Sequence, residues 1–172
     1  MRLRTAHAED VPAIHALVER AYRGDSARGG WTHEADMLDG QRTDAAALAD
    51  FIADKGNAML LLEDDAGGLA GCVQLTDKGG SLAYLGMLTV DPRRQAGGLG
   101  RQLLMAGEGW AEQRGCRAIE MTVIEQRGEL IAWYERRGWR RTGEHRPFPL
   151  ADPRFGLPRR QDLQFVVLAK PL

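Results

Sequence analysis

Helical and extended hydrophobic patterns alternate along the first half of the chain. Apolar residues recur three or four positions apart over residues 8–22 and again over 44–52, which predicts two amphipathic helices. A short strand is predicted before them, at residues 2–5. The apolar runs AMLLLE and LAGCVQLTD flank DDAGG, whose composition is typical of a hairpin turn. The chain therefore begins as strand, two helices and a β-hairpin.

The second half continues with a nearly all-apolar run, SLAYLGMLTV, which predicts a central strand covered on both faces. A helix over residues 99–113, a strand in CRAIEMTVI, a short helix in ELIAWYERRG and one or two final strands, including QDLQFVVLA, follow. Residues 147–160 contain four prolines and predict a loop, suited to a lid or a partner contact. This order indicates a mixed α/β fold rather than regularly repeated βα units.

Composition narrows the class of protein. The 172 residues are 44% hydrophobic, enough for a single domain over residues 1–172 with its own core. A net charge of −1 argues against nucleic acid or a membrane surface as partner. Because the sequence has neither a signal-peptide pattern nor a membrane-length apolar stretch, we expect a soluble cytoplasmic protein. Cys72 and Cys116 are isolated and the histidines are scattered, so no metal site is predicted.

The glycine cluster in DPRRQAGGLGRQLL has three interpretations besides an anion site. For a dinucleotide-binding loop, Gly98 and Gly100 would be the first two glycines of the GxGxxG motif and Glu120 its acid. However, Leu103 occupies the position of the third small residue. A Walker loop fails because no lysine follows its second glycine. An ordinary turn between strand and helix, without a ligand, remains open.

An anion site is favoured by what surrounds the glycines. Successive backbone amides from Gln95 to Arg101 lie at the predicted start of a helix, beside Arg93 and Arg94. Amides and positive charge at a helix N-terminus suit a pyrophosphate, and glycine lets the backbone approach it closely.

These residues resemble the GNAT family of N-acetyltransferases. Gln95, Gly98 and Gly100 match its Q/R-x-x-G-x-G/A motif, and LGMLTVDP and ELIAWYERRGW match its central strand and late helix in order and spacing. The resemblance implies a mixed sheet of about six or seven strands flanked by helices, with the central strands splayed to hold CoA. It implies acetyl-CoA as co-substrate, without a metal. The implied cofactor-binding residues are Leu88, Thr89, Val90, Arg94, Gln95, Ala96, Gly97, Gly98, Leu99, Gly100 and Arg101.

The same resemblance suggests catalytic groups. Tyr134 matches the tyrosine that protonates the departing thiolate in many members, although a half-buried packing role is the alternative. A backbone amide near Leu88 would polarise the thioester carbonyl, and Gly86 would permit a bulge nearby. Glu120 alternates with Ile119 and Met121, so it is predicted to face the cleft as a base, or else to be a hydrogen-bonded polar residue of the sheet.

The acceptor pocket is predicted from the segment between the first helices. Trp31, His33 and Glu34 lie there, and acids of this segment are suited to a cationic acceptor; Tyr84 is a further candidate. Packing roles remain open for Trp31 and Tyr84. The basic run ERRGWRR is interpreted as a solvated helix end, with a phosphate or nucleic-acid patch as the alternative.

The activity that the resemblance implies is transfer of acetyl to a primary amine, favouring a small molecule, by direct attack in a ternary complex. The alternatives are a non-catalytic CoA-binding regulatory module and a dinucleotide-binding protein. The resemblance is also compatible with a homodimer.

Overall fold

The computed structural model describes residues 1–95 and 97–172 and is built on a seven-stranded mixed sheet. Its strands lie in the order β1-β3-β4-β5-β6-β9-β7, and two short strands, β2 and β8, pair with each other apart from it. The bounds are β1 Arg2–Thr5, β2 Leu38–Asp39, β3 Asn57–Glu63, β4 Leu69–Asp77, β5 Leu82–Val90, β6 Ala118–Ile124, β7 Arg140–Pro147, β8 Leu157–Pro158 and β9 Gln164–Pro171.

In the described part of the chain, five α-helices accompany the sheet: α1 Val11–Tyr22, α2 Gly24–Arg28, α3 Ala45–Ala53, α4 Leu99–Gln113 and α5 Gly128–Glu135. The side chain of Asp44 caps α3 by accepting a hydrogen bond from the Ala47 amide at 2.7 Å. Gly115 follows α4 with a φ of +75°, a conformation that glycine adopts without strain. Within the described residues, the longest apolar helix still falls short of what crossing a membrane requires.

The helices cover both faces of the sheet. Residues alternate along β3, so that Met59 and Leu61 pack against α1 and α3 while Leu60 and Leu62 join the cluster formed with α4 and α5. The near-continuous apolar patterns of β3 to β5 follow from this double coverage. The predicted mixed α/β class with helices on both sides of the sheet is confirmed.

The centre of the sheet opens between β5 and β6. The two strands pair in parallel only over residues 82–84 and 118–120, after which no pairing joins them in the described chain. On the other side of β5 the register with β4 shifts between Cys72 and Gln74, and Met87 in this bulge has a φ of +48°. The predicted splay is therefore present, with a bulge one residue after Gly86.

Two C-terminal features differ from the simplest expectation. The basic run ends α5 but continues into β7, an edge strand that pairs only with β9 and exposes most of its residues. Because both faces of β7 are polar, it has no alternating apolar signal. The proline-rich segment is also not wholly irregular, since it contains a 3₁₀ turn at Pro153–Phe155 and β8, which pairs with β2.

Candidate active site

Two adjoining cavities lie where the central strands diverge. We call the first the glycine-loop groove; it has a volume of about 850 Å³ and runs along the start of α4. The second, the inner cavity, has a volume of about 650 Å³ and lies between the open ends of β5 and β6. Leu130 of α5 lines both. A long ligand that enters along the groove can therefore reach into the sheet.

The residue before the glycine loop fixes its start. Asp91 is buried and accepts hydrogen bonds from Arg20 at 3.0 Å and from Arg93 at 2.7 Å. Its other oxygen accepts from the Arg93 amide at 3.0 Å, which caps the 3₁₀ turn Pro92–Arg94. The arginines hold the pKa of Asp91 well below its usual range. The start of the loop is thus held by a buried carboxylate that is paired with the partly exposed Arg20 and the largely exposed Arg93.

The loop itself presents backbone at the start of α4. Gly98 is the N-cap of this helix, with a φ of +75° and, among the described residues, no side chain bonded to the helix end. A Cβ on Gly98 would meet nothing within 4 Å, so the backbone borders open space. Leu99, Gly100 and Arg101 continue the lining of the groove. This arrangement leaves the first amides of α4 available to an anion.

The other predicted loop residues have different surroundings. Gln95 accepts a hydrogen bond from the Trp31 amide, which ties the loop to the segment after α2. Arg94 forms an ion pair with Asp64 at 2.5 Å and does not line the groove, and Gly97 does not line it either. Ala96 lies outside the described residues.

The opposite wall of the groove is aromatic and basic. The guanidinium of Arg137 stacks on Trp133 with its carbon 3.7 Å from the ring centroid, and Arg136 lies beside it. Trp31 packs at 6.4 Å from Trp133, between ring centroids. Trp31 therefore borders the glycine-loop groove rather than the inner cavity for which it was predicted. Two of the arginines interpreted as a solvated helix end line this groove as well.

All three tyrosines of the chain line the inner cavity. Tyr22 donates a hydrogen bond from its hydroxyl to the Leu88 carbonyl at 2.9 Å. The hydroxyls of Tyr84 and Thr122 lie 2.8 Å apart and link β5 to β6 where the strands begin to diverge. Leu88 lines this cavity and Val90 lines the groove, whereas Thr89 between them is buried and lines neither. The exposed backbone of β5 therefore runs past both cavities.

Tyr134 combines both roles that its sequence position suggested. Its ring packs edge-on against Trp133 at 5.0 Å and lies 6.1 Å from Trp139, between ring centroids. The residue also lines the inner cavity, and none of the described hydrogen bonds uses its hydroxyl. Burial raises the pKa of Tyr134 above its ordinary value, so the hydroxyl keeps its proton in neutral and mildly alkaline solution.

Glu120 is engaged by two cations. It accepts hydrogen bonds from Lys78 at 2.7 Å and from both terminal nitrogens of Arg146, at 3.1 and 3.2 Å. Although burial opposes it, this pairing lowers the pKa of Glu120. Glu120 does not line the inner cavity, whereas Lys78 and Arg146 do. The geometry therefore disfavours Glu120 as a base and favours the alternative of a hydrogen-bonded polar residue.

The residues that were predicted to form the acceptor pocket do not lie together in the structure. Glu34 lines the inner cavity, but its carboxylate already accepts hydrogen bonds from Arg23 at 2.6 Å and Arg127 at 3.0 Å. The arginines lower the pKa of Glu34 despite its burial. His33 lines neither cavity, and its Nδ1 accepts from the Ala35 amide at 3.2 Å. Within residues 1–95 and 97–172, no three metal-ligating side chains come together.

Several cavity residues escaped the sequence analysis. Tyr22 is the last residue of the apolar stripe of α1, so its sequence position predicts a core residue. No motif in the sequence around Arg42 or Arg127 indicates that either belongs to a site. Trp133 was not named as a site residue either, and it lines the groove. Of the residues that the sequence analysis named for catalysis and the acceptor, Tyr134, Tyr84 and Glu34 do line the inner cavity.

Comparison with known families decides the relationship. Residues 12–139 match the model of the Acetyltransferase (GNAT) family. The chain belongs to the GNAT family. This GNAT chain is 30% identical over 141 residues to the mycothiol acetyltransferase of Salinispora tropica, an alignment that covers 79% of the chain and 43% of that relative. The chain thus spans less than half the length of this curated relative.

Solved structures show the GNAT fold over the whole chain. The ribosomal-protein-S18-alanine N-acetyltransferase of Escherichia coli superposes with a TM-score of 0.72 at 20% identity, covering 99% of this chain and 92% of that one. The ribosomal-protein-alanine N-acetyltransferase of Brucella melitensis gives 0.73 at 18% identity and covers 100% of both chains. At these identities the likeness concerns the fold alone.

Proposed function

We propose that this chain is an acetyl-CoA-dependent N-acetyltransferase that moves an acetyl group to the primary amine of a small molecule in a ternary complex. The observation that carries the proposal is the pair of cavities that share Leu130 in their lining, one beside a helix N-terminus and one beside the open strands. A cofactor with a phosphate end and a thioester end requires two such regions, connected. The thioester of acetyl-CoA supplies the activated acetyl group.

The glycine-loop groove is the proposed cofactor site. The amides at Gly98 to Arg101 would bind the pyrophosphate, with the positive end of the 15-residue helix α4 behind them. The aromatic and basic wall at Trp133 and Arg137 suits the rest of the nucleotide end. Leu88 and Val90 would pair with the pantetheine arm like an added strand, since β6 no longer pairs with β5 there.

The inner cavity is the proposed reaction site. The amine nitrogen forms a bond to the acetyl carbon, the carbon–sulfur bond breaks, the sulfur gains a proton and the nitrogen loses one. Charge develops on the carbonyl oxygen during attack, and the backbone amide at Leu88, next to the bulge, is the proposed donor to it. Tyr134 is the proposed acid for the sulfur, because it lines this cavity and none of the described hydrogen bonds uses its hydroxyl. We assign no side chain as base.

Direct assay tests the proposal. The protein is incubated with acetyl-CoA and a panel of primary amines, the free CoA thiol is followed in real time, and products are identified by mass spectrometry. We expect thiol release that requires an amine and matches the acetylated product one to one. Tight CoA binding by calorimetry with no acetylation across the panel would instead favour a non-catalytic CoA-binding module. Binding of NAD without binding of CoA would favour a dinucleotide protein. The homodimer and the location in the cell stay predictions. Light scattering checks whether the protein is a dimer.

A further inference from the structure

Charge is distributed unevenly in the inner cavity. Among the described residues, four cationic side chains line it against one carboxylate, that of Glu34; the cations are Arg42, Lys78, Arg127 and Arg146. The sequence had suggested the opposite, an acidic pocket for a cationic acceptor. Whether these charges are free to meet a ligand depends on their partners.

At one end of the cavity the cations are neutralised. Glu120 binds both Lys78 and Arg146, and the Nε of Arg146 also donates to Glu144 at 2.7 Å. Two cations therefore face two carboxylates. This end offers little attraction to a charged ligand of either sign.

At the other end positive charge is in excess. Arg23, Arg42 and Arg127 share one carboxylate, Glu34, which with Arg127 is more than nine-tenths buried. The Nε of Arg42 lies 3.8 Å from that carboxylate, too far for a hydrogen bond. Glu19, the next carboxylate, accepts from the backbone of Arg42 at 2.7 Å and not from its guanidinium.

The buried arginines also have unused donors. The terminal nitrogens of Arg127 donate to Glu34 and to the Thr32 hydroxyl, but its buried Nε has no partner within the described part of the chain. The Nε of Arg127 has almost no accessible surface, so the attraction for a ligand comes from charge rather than from this donor. An excess of positive charge that is partly buried costs free energy, and an anionic ligand in the cavity would offset it. Arg42 and Arg127 therefore form a candidate anion subsite.

This subsite lies close to the proposed reaction centre. The guanidinium carbons of Arg42 and Arg127 lie 5.1 and 5.9 Å from the centroid of the same ring, that of Tyr22. The hydroxyl of that ring donates to the Leu88 carbonyl at 2.9 Å. The two cations are thus one tyrosine side chain away from the backbone proposed to hold the thioester. An acceptor whose negative group reaches these arginines while its amine reaches the thioester must carry the two groups close to each other.

Part of the remaining wall is apolar, although Gln74, Thr76, Tyr84 and Thr122 also line the cavity. Leu38, Ile124, Phe148, Phe155 and Phe165 line it, and the rings of Phe148 and Phe165 lie 5.2 Å apart between centroids. A side chain of the acceptor that packs on these five residues is expected to be apolar, because they offer it no hydrogen-bond partner.

We propose that the acceptor is a free amino acid with an apolar side chain, whose carboxylate is bound by Arg42 and Arg127. This inference rests on the proposed N-acetyltransferase function and specifies its substrate class. The carboxylate is unchanged in the reaction: the amine of the amino acid gains the acetyl group and loses a proton, and CoA leaves as the thiol.

Pairs of compounds that differ only in the carboxylate test the inference. L-Phenylalanine, L-leucine and L-methionine are compared with their amides, by thiol release and mass spectrometry. We expect kcat/KM to be at least about tenfold higher for at least one acid than for its amide, from one lost hydrogen bond to a charged group. The amides have less basic amines, so without an anion subsite they would react faster.

Variants connect the preference to the cavity. Arg42→Gln is expected to reduce kcat/KM for the acid by at least about tenfold more than it reduces kcat/KM for the amide. Arg117→Gln removes the same charge from an exposed position outside both cavities and is expected to change neither value. Thermal denaturation of each variant checks that the fold is kept.

The outcomes separate this inference from the function on which it rests. If the amides or simple amines are acetylated as well as the acids, the protein is an N-acetyltransferase but the anion subsite is refuted. If no amine is acetylated, calorimetry with the N-acetyl amino acids and their amides, in the presence of CoA, decides the subsite alone. Binding of the acids that is lost in Arg42→Gln supports it, and equal or absent binding of both series overturns it.

Discussion

Removing the hydroxyl of Tyr134 is the sharpest test of the proposed chemistry. Phe at this position keeps the ring and its contacts with Trp133 and Trp139. Because none of the described hydrogen bonds uses the Tyr134 hydroxyl, the free energy of unfolding should change by less than about 1 kcal/mol. Loss of a positioned acid, in contrast, lowers a rate by about 10²- to 10⁴-fold. We therefore expect Tyr134→Phe to lower kcat by at least about a hundredfold, or about 2.7 kcal/mol in the barrier.

The pH dependence of the unmodified protein adds an independent check. Tyr134 must be protonated to act, and burial raises its pKa above the ordinary tyrosine value of about 10. The active form should therefore persist on the alkaline side, and kcat should show no descending limb below about pH 10. A tyrosine with an ordinary pKa would begin to lose activity there.

The assay is steady-state thiol release with the best amine of the panel, together with thermal denaturation of each protein. Tyr84→Phe serves as the comparison, because it also removes a hydroxyl from the inner cavity, one that contacts Thr122. We expect a loss in kcat of about tenfold or less for Tyr84→Phe. If Tyr134→Phe retained kcat within twofold, Tyr134 would be a packing residue and the acid would have to be sought elsewhere.

Three further perturbations test the parts of the site separately. Gly100→Glu places a carboxylate in the glycine-loop groove, and the fold should tolerate it because a Cβ there meets only ordinary contacts of 3.7 Å. The carboxylate should repel the pyrophosphate and lower the CoA affinity measured by calorimetry by about a hundredfold, while Gly100→Ala has a smaller effect. Undiminished CoA affinity in Gly100→Glu would refute the proposed pyrophosphate site. Glu34→Gln leaves Arg23 and Arg127 without their counter-charge and should cost about 3–5 kcal/mol in urea denaturation, and a loss under 1 kcal/mol would contradict a structural ion cluster. Asp91 has a lowered pKa in the folded state, so its stabilising effect is complete above the unfolded pKa of about 3.9 and is lost as the pH falls below that value. The difference in melting temperature between the unmodified protein and Asp91→Asn should therefore shrink from pH 7 to pH 3. A constant difference would contradict the ion pairs.

The elements that could be predicted are those whose signal is local. Each of these elements buries one stripe or a whole run of apolar residues, and its predicted bounds lie close to the observed ones; they are the hairpin of β3 and β4, the strand β5 and the helix α4. β7 could not be placed in the same way, because an edge strand with both faces polar is stabilised by backbone pairing with β9. Pairing of that kind leaves no trace in side-chain periodicity.

The glycine loop is the part of the site that the sequence reveals, since its backbone conformation depends on neighbouring residues. Gly98 with its positive φ and the buried Asp91 lie within eight positions of each other. Trp31 shows the limit of this reasoning. It was assigned to the acceptor pocket from its position along the chain, but Gln95 and Trp133 bring it to the groove. Contacts across the sheet, which no local pattern encodes, decided its location.

The sign of the charge in the inner cavity required the structure most of all. Glu34, taken alone, suggests a site for a cation, and the net charge of the chain favours neither sign. Burial changes this interpretation, because a buried carboxylate must be paired, and Glu34 is paired by arginines from three separate segments of the chain. Three cations then share one anion, so the acid that suggested a cationic acceptor is the reason that an excess of arginine can be held beside the cavity. What such a site attracts is therefore set by the charge left over after pairing.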